Sequence, residues 1–348
     1  MPVTTVLGQI ERESLGITLP HEHIFIDLRN EFTPPSDPEK LRLSEEHITL
    51  ENYGVLRRNP YAIKENLILD DLDLAVEEVK RFAGLGGKTI VECTCTGIAP
   101  SPDRLRELAR LSGLNIIAGS GYYTHDTHPA DMNEWTPEKI ADDIIREITV
   151  GVGNTDIRAG VIGEIGLSDP IHPNEMKCLA GTAIAFRQVP TPIQIHTHPW
   201  GRNALPAVAA LTDNNVDPGR VAICHIDVEF DLNYLRSLLE TGVYVQFDNF
   251  GKEFYINKAD RGYAGGNFAT DLERVRVIKE LLDWGYADRI LVTNDICLKQ
   301  MLHRYGGWGY DHILANIVPM MLDEGIPQQT IDGFLIDNPA DWLCGSAA

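Results

Sequence analysis

The chain has 348 residues, with 30 Lys+Arg against 51 Asp+Glu and a formal charge of −21. A hydrophobic share of 43% and a charged share of 23% exclude a disordered chain, and the acidic balance argues against nucleic acid or an anionic membrane surface as partner. No apolar run approaches the roughly 20 residues that span a bilayer.

Met1–Thr5 carries no basic segment followed by an apolar one, so the expected location is cytoplasmic. Cys93, Cys95, Cys178, Cys224, Cys297 and Cys344 are scattered, mostly in apolar runs, as reduced buried thiols are. The length allows either two domains or one large barrel.

Eight short apolar runs recur, at 16–20, 88–95, 114–119, 159–166, 192–198, 220–227, 243–247 and 289–295. Near-continuous hydrophobicity marks strands covered on both faces, the habit of parallel sheets with helices outside. Between the first two runs, Leu72, Ala75, Val76, Val79, Phe82 and Ala83 repeat at the spacing of one buried helical face, and Gly84, Gly86 and Gly87 stop it. Ser101-Pro102-Asp103 and Thr136-Pro137-Glu138 each open a helix with a capping hydroxyl, a proline in the first turn and an acid at the positive dipole end. Further helices are predicted over 174–188, 202–211, 231–240 and 271–284.

Eight strand–helix units predict an α/β fold of the (β/α)₈ TIM-barrel type. A doubly wound sheet is the alternative, but no glycine fingerprint follows the first strand. The expected organisation is one barrel domain over 1–348, with a short N-terminal extension over 1–15 and loop insertions at 28–69 and 249–270. Both insertions, and a long loop after the eighth strand, emerge on the face where barrel active sites lie.

Chemistry gathers at the strand ends. In His21-Glu22-His23, residues two apart on a strand face the same side. Two neutral imidazoles suit Zn²⁺, Mn²⁺, Co²⁺ or Fe²⁺ better than Ca²⁺ or Mg²⁺. His196-Thr197-His198 closes the fifth strand, His225 the sixth and Asp295 the eighth. Glu164 lies amid apolar residues of the fourth, where its charge demands a partner that two metal ions would supply. Ion pairs are the competing explanation for Glu164 and Asp295, but few cations lie nearby in sequence. Geometry alone does not choose between His196 and His198.

These residues carry a resemblance. The stretches Leu15–His23, Val91-Glu92-Cys93-Thr94, Gly121-Tyr122-Tyr123, Ile195–His198, Thr293-Asn294-Asp295 and Asp337–Ala340 are similar to the phosphotriesterase family of the amidohydrolase superfamily, over nearly the whole chain. The resemblance implies a binuclear centre holding two divalent transition-metal ions, zinc first, with manganese, cobalt or iron as alternatives. It places His21, His23 and Asp295 on the more buried ion and His196 and His225 on the more exposed one.

The bridging position, commonly a carbamylated lysine, corresponds to Glu164. No lysine lies between Lys139 and Lys177, so carbamylation is excluded there, and a carboxylate, with the same single negative charge on a shorter arm, can bridge two ions. His198 is left as a substrate contact or a support for the ligands. A homodimer and a small-molecule substrate are also implied.

The mechanism expected on that basis is attack by a metal-bridged hydroxide, with Asp295 taking the proton. The substrate would be a lactone, possibly a phosphorylated sugar lactone, or a related carboxyl ester or amide, with weak phosphotriesterase activity on the side. Tyr123 would meet the carbonyl oxygen. Lys252, Tyr255 and Arg261 resemble the anion-holding stretch of family lactonases. An organophosphate triester hydrolase, an isomerase and a non-catalytic ligand-binding barrel are the other readings.

Overall fold

The computed structural model describes residues 1–345. Eight parallel strands lie in sequential order: β1 (Ile17–Glu22), β2 (Gly87–Glu92), β3 (Asn115–Ser120), β4 (Val161–Leu167), β5 (Ile193–Thr197), β6 (Val221–Ile223), β7 (Tyr244–Phe247) and β8 (Ile290–Val292). Each coincides with one of the eight apolar runs. Backbone bonds from Asp295 N to His21 O (3.3 Å) and from His23 N to Ile296 O (3.1 Å) join the last strand to the first. The sheet thereby closes as a (β/α)₈ barrel, as the strand–helix count predicts.

The longer helices between successive strands are α1 (Leu72–Gly84), α2 (Pro102–Ser112), α3 (Pro137–Thr149), α4 (Pro173–Gln188), α5 (Ala204–Thr212), α6 (Leu232–Leu239) and α7 (Asp271–Asp283), and shorter helices, Val318–Asp323, Gln328–Asp332 and Asn338–Cys344, follow the eighth strand. The predicted caps fare unequally. Thr136 accepts from Lys139 N, whereas the Ser101 side chain makes no capping bond and leaves the start of α2 to Pro102.

Burial on both faces explains why the strands read as unbroken apolar runs. Ile90, Ile116, Ile162, Ile193, Ile195, Ile223 and Val245 pack outward against the helices. Val91, Ile117, Val161, Ala222, Tyr244 and Leu291 fill the interior at one end, plugged by Trp342 and Leu15. At the opposite, C-terminal end the inward positions turn polar, and there the chemistry collects. The first insertion pairs Ile26–Asp27 with Ile68–Leu69 and carries short helices Pro38–Leu43 and Tyr53–Leu56 between them. No helix among the described residues is long and apolar enough to cross a membrane.

Candidate metal centre

Strand alternation aims Gln194 and His196 inward, between the outward residues Ile193, Ile195 and Thr197. Glu164 needs more than alternation. Val161 faces the interior and Ile162 the helices, so strict period two would turn Glu164 outward. The register shifts between Ile162 and Ile165, which pair with Ile193 and Ile195, so β4 spends one extra residue there. This bulge returns Glu164 to the interior. Gly163 permits it: its φ is 140°, and a Cβ would stand 2.6 Å from Gln194 O.

The strand ends bring all six expected ligands together, each at most 5% exposed. His23 Nε2 lies 3.2 Å from Glu164 Oε1 and 3.3 Å from Asp295 Oδ1. His21 Nε2 lies 3.6 Å from Glu164 Oε2 and 3.5 Å from Asp295 Oδ1. On the other side of the carboxylate, Glu164 Oε2 is 3.1 Å from His196 Nδ1 and 3.4 Å from His225 Nε2. Glu164 thus stands between two groups of imidazoles.

Each imidazole is oriented from behind. His21 Nδ1 meets Gln246 Oε1 at 3.1 Å, His23 Nδ1 meets Thr94 Oγ1 at 2.9 Å, and His225 Nδ1 meets Asp248 Oδ1 at 3.1 Å. A proton placed on those Nδ1 atoms leaves the Nε2 lone pairs directed at the cluster. His196 is turned the other way, its Nε2 facing the hydroxyls of Tyr123 (3.4 Å) and Tyr263 (3.3 Å).

Two observations test whether this constellation fits metal ions. His21 Nε2 and Asp295 Oδ1 are buried polar atoms without a hydrogen-bond partner, and both point into the cluster. His21, His23 and Asp295 form one compact donor triplet, and His21, Glu164 and His225 another. Imidazole nitrogen with carboxylate oxygen is a donor set for first-row divalent ions. The residues fit.

The electrostatics agree. Burial works against a charged His23, yet the Asp295 and Glu164 carboxylates beside it push its pKa up to about 10. Burial likewise opposes ionisation of Asp295, but the Lys252 ammonium and the imidazoles around it hold its carboxyl well below the usual aspartate range. The cluster demands positive charge. Two of its members also carry strained backbone, His225 at φ 62° and Asp295 at φ 50°, a cost tolerated where the surroundings over-determine the position.

The expected substrate contacts divide. Tyr123 lines the pocket over the cluster and donates from its hydroxyl to Glu31 Oε1 at 3.0 Å. Lys252 also lines it, its ammonium against Asp295 Oδ2. Tyr255 and Arg261 do not line it. The loop runs extended, so Lys252, Phe254 and Ile256 turn inward while Tyr255 is 52% exposed beneath Arg58. Arg261 lies in an outer groove. His198 stays outside the cluster and packs its ring against Trp200 and Tyr263.

Sequence reasoning missed Asp248, Tyr263, Gln246 and Glu31. Asp248 follows the seventh strand as Asp227 follows the sixth, which was the available signal. The others had none, since their roles arise from packing.

A closed parallel barrel with a buried histidine–carboxylate cluster at the C-terminal ends of its strands defines a metal-dependent hydrolase architecture. Residues 1–343 match the phosphotriesterase family, and the chain belongs to that family. It is 39% identical over 343 residues to the N-acetyltaurine hydrolase of Danio rerio, covering 98% of this chain and 97% of that one. It is 37% identical over 345 residues to a phosphotriesterase-related protein of Nematostella vectensis, covering 97% of each. Among solved structures, a resiniferatoxin-binding protein from Rhodobacter sphaeroides superposes with a TM-score of 0.94 at 35% identity, over 98% of this chain and 94% of that one. A phosphotriesterase homology protein from Escherichia coli, complexed with phosphate in its active site, gives a TM-score of 0.78 at 26% identity, over 95% and 99%. The chain is a metal-dependent hydrolase of this family.

Proposed function

We propose that the protein hydrolyses the amide bond of a small N-acylated amine, with N-acetyltaurine as the first substrate to assay. The observation that carries the hydrolytic site is that the unpartnered His21 Nε2 stands 3.5 Å from the equally unpartnered Asp295 Oδ1 and 3.6 Å from Glu164 Oε2. Support for the amide comes from the full-length likeness to the N-acetyltaurine hydrolases. Lys252, one of the cations expected to hold a substrate anion, is instead engaged with Asp295 inside the pocket.

In this reading His21, His23 and Asp295 would hold one divalent ion and His196 and His225 a second, with the Glu164 carboxylate offsetting the charge of both. Ions bound there lower the pKa of water toward roughly 7 and polarise the scissile carbonyl. Asp295 takes the proton from the attacking water and passes it to the departing nitrogen. The accepting atom is Oδ1, since Oδ2 is held by Lys252. Tyr123 and Tyr263 fix His196 through Nε2 and wall the pocket against bulk water. Zinc, a homodimer and a cytoplasmic location complete the proposal; metal analysis and light scattering test the first two.

The deciding assay incubates metal-loaded protein with N-acetyltaurine, simple lactones and an aryl phosphotriester. Release of acetate and taurine in equal amounts is expected, abolished by chelation and reduced at least about 10³-fold in Asp295→Asn with the fold retained. Rapid lactone turnover with an inert amide would overturn the substrate assignment, and full activity in chelated protein would overturn the metal centre.

A further inference from the structure

The two long loops of the active-site face meet outside the metal pocket and enclose a groove of about 800 Å³. Phe32, Pro34, Leu43, Val55 and Ala62 supply apolar wall, and Tyr61 is shared with the metal pocket. The loops are fastened to one another across it. Lys40 pairs with Asp260, Arg58 Nη2 donates to Asn257 Oδ1 at 3.1 Å, and the Tyr61 ring meets Tyr263 edge-on at 5.9 Å. Gly262 approaches Thr33 so closely that a Cβ would stand 2.3 Å from its Oγ1. Such contacts make the groove a built compartment.

Its charge is unusual for a chain of net −21. Arg58 lies over the Tyr255 ring and spends one N–H on Asn257, a neutral partner. Arg261, also in the wall, has no carboxylate partner among the described residues. The two carboxylates of the wall are engaged elsewhere, Asp260 with Lys40 and Asp37 at the start of the helix Pro38–Leu43, and guanidinium groups left without a carboxylate, beside an apolar wall, suit a ligand that joins an anion to an apolar body.

With the scissile carbonyl at the cluster, the part of the substrate that extends beyond the metal pocket meets Tyr61, which lines both cavities. We propose that the groove binds the amine half of the substrate, Arg58 and Arg261 receiving its anionic group and the apolar wall its side chain. The substrate class is then N-acetylated amino acids and aminosulfonates, including those with bulky apolar amine halves. This inference rests on the amide-hydrolase reading above.

The test compares N-acetyl-L-phenylalanine with its uncharged carboxamide, alongside N-acetyltaurine, on metal-loaded protein. The acid should show a KM about tenfold below that of the carboxamide, and the R58Q/R261Q variant should erase that difference. Val55→Trp, which fills the wall, should lower kcat/KM for N-acetylphenylalanine relative to N-acetyltaurine about tenfold. Equal KM values for acid and carboxamide, or a preference that survives R58Q/R261Q, overturn the groove assignment while leaving N-acetyltaurine hydrolysis standing. Should no N-acetyl compound be hydrolysed, the amide reading falls instead. Calorimetric binding of N-acetylphenylalanine to wild type and R58Q/R261Q then decides the groove separately, weaker binding to the variant supporting it and equal or absent binding refuting it.

Discussion

Lys252→Met isolates the charge demand of the cluster. The Lys252 ammonium sits against Asp295 Oδ2, and the two side chains are only 5% and 7% exposed, so water screens the pair little. Methionine fills a similar volume, which keeps the cavity contribution small. What remains is the cost of leaving a buried carboxylate without its partner, about 3 kcal/mol at the low end of the usual range. The low end applies because Asp295 Oδ1 retains His23 at 3.3 Å and His21 at 3.5 Å.

An unfolding entropy of about 0.7 kcal/mol/K for 348 residues converts this to a Tm loss of about 4 °C. That loss is expected in chelated protein. In metal-loaded protein it should shrink to less than half, because cations on the Oδ1 side supply the charge the lysine gave. Differential scanning calorimetry of both forms measures it. An equal loss with and without metal would refute the reasoning, as would no loss in the chelated form.

Two further outcomes follow from the same geometry. Glu164→Gln, a neutral amide between two imidazole groups, should bind fewer than two ions per chain or bind one of them at least about tenfold more weakly, read by titration with a chelator competitor; unchanged stoichiometry and affinity would remove Glu164 from the centre. Burial pushes Glu31 up to about 8 despite the Tyr123 hydrogen bond, so the folded, metal-free state holds a proton there that the unfolded chain releases near its ordinary value of 4.5. Folded protein binds more protons between those values, so stability is fully present below pH 4.5 and declines as pH rises toward 8. Urea denaturation of chelated Glu31→Gln should show a smaller decline over that interval, and an identical profile would contradict the assignment.

The amino-acid order by itself determined the barrel, because eight strands buried on both faces leave eight unbroken apolar runs and the helices between them carry their own stop signals. It also determined which residue types stand at the strand ends, and the spacing of His21 and His23 suffices to aim them together. The three-dimensional arrangement decided the rest. Glu164 reaches the interior only through an extra residue in β4 whose position is set by pairing with β5, and no local periodicity records a shift between neighbouring strands. Lys252 and Arg261, alike as loop cations in the sequence, part company because an extended segment turns one inward to Asp295 and leaves the other in the outer groove. Asp248 and Gln246 became partners of imidazoles through contacts across more than twenty residues of chain, which only closure of the barrel creates.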